Sequence, residues 1–248
     1  AEQGQQSVVS LFAASFFLSR PSPLARFLTP KDIPALLRLE AQKWTTDQMA
    51  DERQLASRIE RWPELSIGSF DPETGEALAS LFMRPIDPAS LEQMRSWFDT
   101  VHAPEPGASA RTLFGISLTS VNADAADSLF RFFWPIALRA GWRDIYLGSP
   151  IRGYSKQKHC EPAVTPEEYA RRQQNGMPAD PQLRYYYRRG FTQLVTIKPD
   201  YFPHPASLNY GALIRGRVPL SWIGPVWRRL PKAAVKRLTS SLAWMMNA

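Results

Sequence analysis

Two hydrophobic periods alternate along the chain, one of two residues and one of between three and four, with Gly, Pro, Asp or Thr at the changes. Leu24–Leu28 predicts a strand. Thr29 then caps a helix with Pro30 in its first turn and Asp32 close behind. Leu36, Leu37, Leu39 and Ala41 form its apolar stripe, and it ends near Trp44. A second helix, about Asp47 to Arg61, turns Met49, Leu55 and Ile59 inward and its charges outward, and Trp62-Pro63 ends it. Leu65–Phe70 reads as a short strand, Asp71-Pro-Glu-Thr-Gly75 as a turn, and Glu76–Pro85 as the hairpin partner. Polar residues dominate Asp87–Pro106, with one short helix over Leu91–Asp99. Thr112–Val121 predicts a long strand. Asp124–Arg139 predicts an aromatic-rich helix, with Leu129, Phe130, Phe133, Ile136 and Ala137 among its apolar positions and Gly141 as its stop. Asp144–Gly148 is a compact strand, and Thr165 caps a helix to about Gln174. A short helix follows, with Pro181 in its first turn and Gly190 as a left-handed stop. Strand Thr192–Lys198, a Pro-rich excursion over Asp200–Ser207 and strand Leu208–Arg215 complete the series.

This order predicts an α+β fold with a mixed, mostly antiparallel sheet of six to seven strands flanked by helices. Three segments are expected: an N-terminal extension and linker over residues 1–23, a domain over 24–216, and a basic amphipathic helix over 217–248. The apolar run Val8–Leu18, 11 residues, is too short to cross a bilayer. It has no basic leader, and Arg20-Pro21-Ser22-Pro23 behind it is a poor signal-peptidase site, so it reads as a packed strand or short helix. The Ala at position 1 suggests an incomplete or excised start.

Charge changes this picture at one end. Residues 1–200 hold 23 basic and 23 acidic side chains, whereas 201–248 hold seven basic and no acidic ones. The whole formal excess of +7 therefore sits in the C-terminal segment, where it attracts an acidic partner. Nucleic acid is not expected to be that partner. No zinc spacing or RNA-recognition motif occurs, and the aromatics of this segment lie on its apolar face rather than among the arginines. The single cysteine, Cys160, excludes an internal disulfide and fits a reducing cytosol, so a cytoplasmic location is expected.

Candidate chemistry begins at Asp180-Pro-Gln-Leu-Arg-Tyr-Tyr-Tyr-Arg-Arg-Gly-Phe191. Three consecutive tyrosines on one helix leave at least one phenol pointing away from the buried face. Such a helix, running into Gly-Phe and an apolar strand, resembles the closing segment of the GNAT superfamily of N-acetyltransferases. There the pattern is aromatic, Tyr, two or three residues, Gly-Phe. The resemblance implies that Tyr186, found by counting back from Gly190, protonates the departing thiolate of an acyl donor. The element order is also that of a GNAT domain. Leu147-Gly-Ser-Pro-Ile-Arg-Gly-Tyr154, Thr165-Pro-Glu-Glu-Tyr169, Asp180-Pro-Gln-Leu-Arg184 and Pro199-Asp-Tyr-Phe-Pro203 are similar to GNAT-like domains fused to carbon–nitrogen hydrolases, and to GNAT-like loading domains of modular polyketide synthases. In the loading group the fold takes an acyl group from CoA and passes it to the phosphopantetheine thiol of a carrier protein; some members first decarboxylate a malonyl group. Trp44 falls where that group commonly has a Trp near its acyl pocket.

One stretch departs from the family pattern. In GNAT enzymes the fourth strand leads into Arg/Gln-x-x-Gly-x-Gly/Ala, whose backbone N–H groups hold the CoA pyrophosphate at a helix N-terminus. The matching stretch, which begins at Val121 and Asn122, reads Val121-Asn-Ala-Asp-Ala-Ala-Asp-Ser-Leu129 and contains neither glycine nor arginine. Asp124 reads as the helix cap and Asp127 as a first-turn acid, two carboxylates where phosphates would sit. Three outcomes are open: a carrier-bound donor with no pyrophosphate, CoA held by other contacts, or a fold without catalysis. GNAT-like enzymes that accept acyl carrier protein, such as acyl-homoserine-lactone and N-acyl amino acid synthases, also lack the usual phosphate loop.

His159, just past strand Asp144–Gly148, is the candidate acid or base, because imidazole titrates near neutrality. It also reads as a solvated loop residue beside Lys156 and Lys158. Thr119 offers a hydroxyl to a thioester carbonyl or a carboxylate awaiting loss, although Thr is in any case a good strand residue. Arg184 suits bidentate pairing with a carboxylate, and Trp44 suits a pocket wall or a core anchor. His102 and His204 read as structural or solvated, and no metal site is expected from the spacing of three histidines.

In the tail, Trp227, Leu230, Ala234, Leu238, Leu242 and Met245 fall at helical spacing, with five basic residues elsewhere around the helix. Such a helix packs on its own domain, docks on a carrier protein or neighbouring synthase module, or makes weak contact with a membrane surface through residues 219–248. Acyl transfer from an acyl-carrier or acyl-CoA thioester to a thiol or amine is the function the resemblance implies, with no tightly bound cofactor. The alternative is a non-catalytic module of the same fold that binds an acyl thioester, a protein partner or a membrane.

Overall fold

The computed structural model describes residues 22–46 and 48–242. The apolar run Val8–Leu18 and Met245 lie outside the described residues. One seven-stranded sheet organises the chain: β1 (Leu24–Phe27), β2 (Ser66–Phe70), β3 (Ala77–Pro85), β4 (Thr112–Ser120), β5 (Asp144–Pro150), β8 (Gln193–Lys198) and β9 (Gly211–Arg217), in the order β1-β2-β3-β4-β5-β9-β8. Every neighbouring pair is antiparallel except β4 and β5, which run parallel. This is the expected mixed sheet, at the upper end of the expected strand number.

Helices cover both faces, because alternate residues of each strand are apolar on both sides. On one face, α1 (Ile33–Lys43) and α2 (Glu52–Arg61) bury Leu36, Leu39, Leu55 and Ile59 against Phe70, Phe82 and Ile116. Helices α3 (Pro88–Gln93) and α4 (Trp97–Val101) extend that face over Phe114, Tyr146 and Leu213. The opposite face carries α5 (Ala123–Ala140), whose Leu129, Phe133 and Ala137 pack on Ile67, Leu81 and Leu113. Beside it lie α6 (Tyr154–Cys160), α7 (Pro166–Arg171) and α8 (Pro181–Tyr187), which bury Tyr154, Tyr169 and Leu183 on Leu147 and Ile214.

Several boundaries differ from the sequence expectation, each for a local reason. Helix α2 begins at Glu52 rather than near residue 47, because Asp51 and Gln54 form a reciprocal capping box. That arrangement satisfies two otherwise orphaned N–H groups. Asn122, not Asp124, caps α5, accepting from Ala125 N at 2.8 Å. The polar insertion holds two short helices instead of one, because Ser96 caps a second start by accepting from Asp99 N. Helix α7 stops at Arg171, and a small hairpin, β6 (Gln173–Gln174) with β7 (Met177–Pro178), replaces its last turn. The final strand spans Gly211–Arg217, a few residues later than Leu208–Arg215, because Leu208 and Asn209 are left-handed. Gly190 takes a positive φ of 87° after α8, the conformation that a residue with a Cβ disfavours.

The insertion is fastened from below by two cations. Arg84, fully buried, donates from its guanidinium to the carbonyls of Pro85, Val101 and Pro104 and stacks on Trp62. Lys198, also buried, donates to the carbonyls of Leu91 and Met94 at the end of α3. Carbonyl oxygens compensate both cations where water cannot.

In the C-terminal segment Pro231 divides the expected single helix into α9 (Gly224–Arg229) and α10 (Lys232–Ser241). The break rotates the apolar stripe, so Trp227 and Val235 are buried against α5 while Leu238 is 45% exposed. Arg139 of α5 donates to Leu230 O, and Trp227 Nε1 donates to Leu220 O. These contacts match the reading in which the tail packs on its own domain. Among the described residues no helix is long and apolar enough to cross a membrane.

Candidate active site

The parallel pair at the centre of the sheet is joined along only part of its length. Thr112–Gly115 of β4 pair with Asp144–Leu147 of β5; beyond them β4 continues to Ser120 and β5 to Pro150 without pairing to each other. The strands therefore fork towards their C-terminal ends, and the slot between them is a break in backbone pairing. A bulge starts the fork: Phe82 of β3 faces Ser117 and Met83 faces Gly115, so Ile116 is an extra residue in β4. A bulge bends its strand and increases the local twist, which turns β4 away from β5.

Aromatic groups floor this slot on the α1 side. Trp97 Nε1 donates to Ile116 O at 2.9 Å, and Trp97 N donates to Tyr201 O at 2.8 Å. The Tyr201 ring lies over Gly148 of β5 and Gly211 of β9; a Cβ on either glycine would come within 2.5 Å of it. Only glycine lets the ring approach this closely. Burial pushes the Tyr201 phenol up to about 12, with its oxygen 3.3 Å from Thr100 Oγ1. Farther along, Gln48 Nε2 donates to Pro203 O at 2.7 Å and ties the loop after α1 to the loop before β9.

Two of the sequence candidates meet on this side. Trp44 Nε1 donates to Thr119 Oγ1 at 2.9 Å, and Thr119 Oγ1 donates to Glu40 Oε1 at 2.6 Å. The second Glu40 oxygen accepts from Ala50 N at 3.2 Å. Thr119 and Glu40 are buried, and Trp44 is 38% exposed. Arg58 supports the trio electrostatically: burial lowers it from its ordinary value, and the Glu40 carboxylate opposes that shift. Glu40 carried no functional signal in the sequence, being an acid in the last turns of an amphipathic helix. Its clue was its spacing, four residues before Trp44 and thus on the same helix face. Glu40→Gln keeps one acceptor but turns an NH2 toward either Thr119 or Ala50 N, so it is expected to cost about 1–2 kcal/mol. Urea denaturation measures this, and an unchanged midpoint would remove Glu40 from the network.

On the α5 side of the sheet, Tyr186 of α8 packs into the cluster that holds Leu147, Phe130 and Phe191. Its ring packs edge-on against Tyr185 and Phe191, and burial pushes its phenol up to about 12, with Tyr185 adding to the shift. Gln182, one turn earlier on α8, and the Arg189 and Arg152 charges oppose that upward shift without cancelling it. The neighbouring Tyr185 lies instead against the Arg189 guanidinium at 3.9 Å. Asp180 positions the helix. Its carboxylate, 1% exposed, accepts from Gln182 N, Leu183 N, Gly153 N and Tyr169 Oη. The start of α8 is thus locked to the turn that follows β5.

The remaining candidates lie farther apart. Arg184 donates to the carbonyls of Pro178 and Ala179 at 2.9 Å each, so its guanidinium secures the hairpin before α8. His159 sits in a helix, α6, rather than a loop, and lines an open groove with Arg152. Val121 N donates to Leu78 O, and the Asn122 side chain closes the α5 N-terminus. Asp127 pairs with Arg189 at 2.8 Å, so one of the two acids expected to repel a pyrophosphate is already neutralised. Arg152 was missed: its charge reaches both the Tyr186 phenol and His204, whose imidazole is lowered first by burial and then by that arginine. Among the described residues no cluster of three or more His, Cys, Asp or Glu is arranged to hold a metal.

The forked β4–β5 pair and the helices around it define a GNAT-like α+β fold. No family model matches the chain, and no curated protein does. Solved structures do. The loading GNATL domain of CurA from Lyngbya majuscula is similar with a TM-score of 0.67 at 17% identity, over 79% of this chain and 98% of that one. The GphF GNAT-like decarboxylase in complex with isobutyryl-CoA gives 0.63 at 19% identity, over 79% and 99%. A malonyl-CoA decarboxylase from Rhodopseudomonas palustris gives 0.56 at 15% identity, over 88% of this chain and 63% of that one. At these identities the likeness is one of fold, and it agrees with the resemblance to loading domains read from the motifs.

Proposed function

We propose that the chain is an acyltransferase, moving an acyl group from a thioester donor to a thiol or amine. The observation that carries this reading is the fork of β4 from β5, with Thr119 and Trp44 on one side of the sheet and Tyr186 on the other. A pantetheine arm is narrow and extended, and the unpaired edge of β4 offers it backbone hydrogen bonds of the kind a strand partner would make. The structural relatives named for a CoA ester, a loading domain and a malonyl thioester point toward the same substrate class.

In this mechanism the donor sulfur lies beside Tyr186. A phenol near 12 stays protonated at neutral pH. It is a weaker acid than a thiol of about 8.5, so it stabilises the departing thiolate chiefly by donating a hydrogen bond. Thr119 has its proton committed to Glu40 and one lone pair to Trp44, so it fixes the indole as a wall of the acyl pocket. His159 serves the acceptor, as base or as an orienting group, and Arg184 braces the Tyr186 helix through its bonds to Pro178 and Ala179. Either CoA or a carrier protein supplies the thioester, and a malonyl donor would lose CO2 before transfer. The Asp127–Arg189 pair lessens the objection to CoA.

Incubation with a panel of acyl-CoA and acyl-carrier thioesters, followed by mass spectrometry, distinguishes transfer, decarboxylation and inertness. Consumption of at least one thioester with formation of a new acyl product is expected. If every donor survives, the non-catalytic binding module becomes the correct reading.

A further inference from the structure

Outside the slot, an open groove of about 750 Å³ lies between α6 and the turn Pro205–Ser207. Its two walls differ in chemistry. Arg152, Lys156, Lys158 and His159 line one, while Ala206 and Leu208 line the other. Among the described residues no carboxylate borders it. Two acids of this region are already engaged: Glu161 pairs with Arg172 and accepts from Gln157, and Asp180, which accepts from the Gly153 amide next to Arg152, is filled by its four donors. Arg152 and Lys156 are exposed and have no ion pair among the described residues. Lys158 is held in place by donating to Val164 O at 2.9 Å, so its charge is fixed in the wall.

The apolar wall is built at a cost. Leu208 and Asn209 occupy the left-handed region, with φ of 50° and 63°, and Leu208 stays 44% exposed over the groove. Leu208, unlike Asn209, has no local side-chain hydrogen bond to favour that conformation, and such strain collects where a ligand is received. His204 braces the turn through Ser207 Oγ at 3.1 Å. Arg152 links the groove to the end of β5: it follows that strand by two residues, and its charge is felt by Tyr186.

We infer that this groove binds the anionic group of the second substrate, a phosphate ester or a carboxylate on a short apolar chain. The cations draw in the anion, Leu208 and Ala206 cover the chain, and the reactive end reaches the slot past Arg152. Uncompensated like charges around a concave surface focus the field and raise the local anion concentration. The role as second-substrate site rests on the acyl-transfer reading, but the anion site itself does not.

Titration calorimetry of the full chain with pyrophosphate and with succinate tests the anion site without any thioester. Arg152→Glu/Lys156→Glu removes the unpaired cations, and Lys232→Glu/Lys236→Glu on α10 makes the same change of net charge elsewhere; circular dichroism melting checks the fold of both. Binding by the wild type is expected, with a loss of about tenfold or more in the groove variant and little change in the α10 variant. Preference for pyrophosphate indicates a phosphate ester and preference for succinate a carboxylate. No binding of either probe, or equal weakening in both variants, would overturn the proposal. Anion binding without consumption of any thioester would instead count against acyl transfer and leave the groove standing.

Discussion

Replacing Asp180 by Ala is expected to lower the unfolding free energy by about 3–5 kcal/mol, because a buried charged acceptor with several donors disappears at once. Its carboxylate is the common acceptor of two α8 amides, the Gly153 amide and the Tyr169 hydroxyl. The Tyr169 phenol is itself held far above its usual range by burial and by that carboxylate, so it stays a donor. Asp180→Asn should fall between wild type and Ala: one oxygen still serves the helix amides, while the NH2 meets the remaining donors. Urea denaturation decides; a loss under about 1 kcal/mol for Ala would show that water or a rearranged helix end replaces the carboxylate. The consequence for chemistry is positional, since Asp180 fixes Tyr186 relative to the end of β5.

Tyr186→Phe is expected to reduce the acyl-transfer kcat/KM by about a hundredfold, the lower range for a lost hydrogen-bond donor to a developing negative charge. Tyr185→Phe, whose ring lies under Arg189, should change the rate little. Because the Tyr186 phenol is raised to about 12, its proton is present throughout the neutral range. The pH–rate profile should therefore show no limb from this group between about pH 6 and 10. Equal rates for the wild type and Tyr186→Phe would remove it from the reaction, and a loss with Tyr185→Phe alone would transfer the role to the neighbouring phenol.

The sheet was legible in the sequence because its strands are bounded by strong punctuation, such as Asp71–Gly75 before β3 and Gly141 before β5. Capping was harder to place. Asp51, Asp124 and Asn122 are all competent caps, and only the packed helix selects among them. The segment Tyr154–Cys160 was read as a loop around His159 because its apolar residues are few; it is helical through packing of Tyr154 on Tyr169 and Tyr210. In the site, Trp44 and Thr119 were chosen separately, and their hydrogen bond is a tertiary fact spanning 75 positions. Glu40 and Arg152 escaped notice for the same reason: a lone charge on a helix or after a strand gains meaning only from what the fold sets against it.

The two buried cations beneath the insertion also set its thermal behaviour. Peeling residues 87–106 from the sheet would strip Arg84 of the Val101 and Pro104 carbonyls and Lys198 of the Leu91 and Met94 carbonyls, leaving two poorly compensated charges against apolar surface. Partial detachment is therefore costlier than its few helical turns suggest. The insertion and the strands below it should melt as one cooperative unit, which keeps the floor of the slot in place for as long as the sheet itself survives.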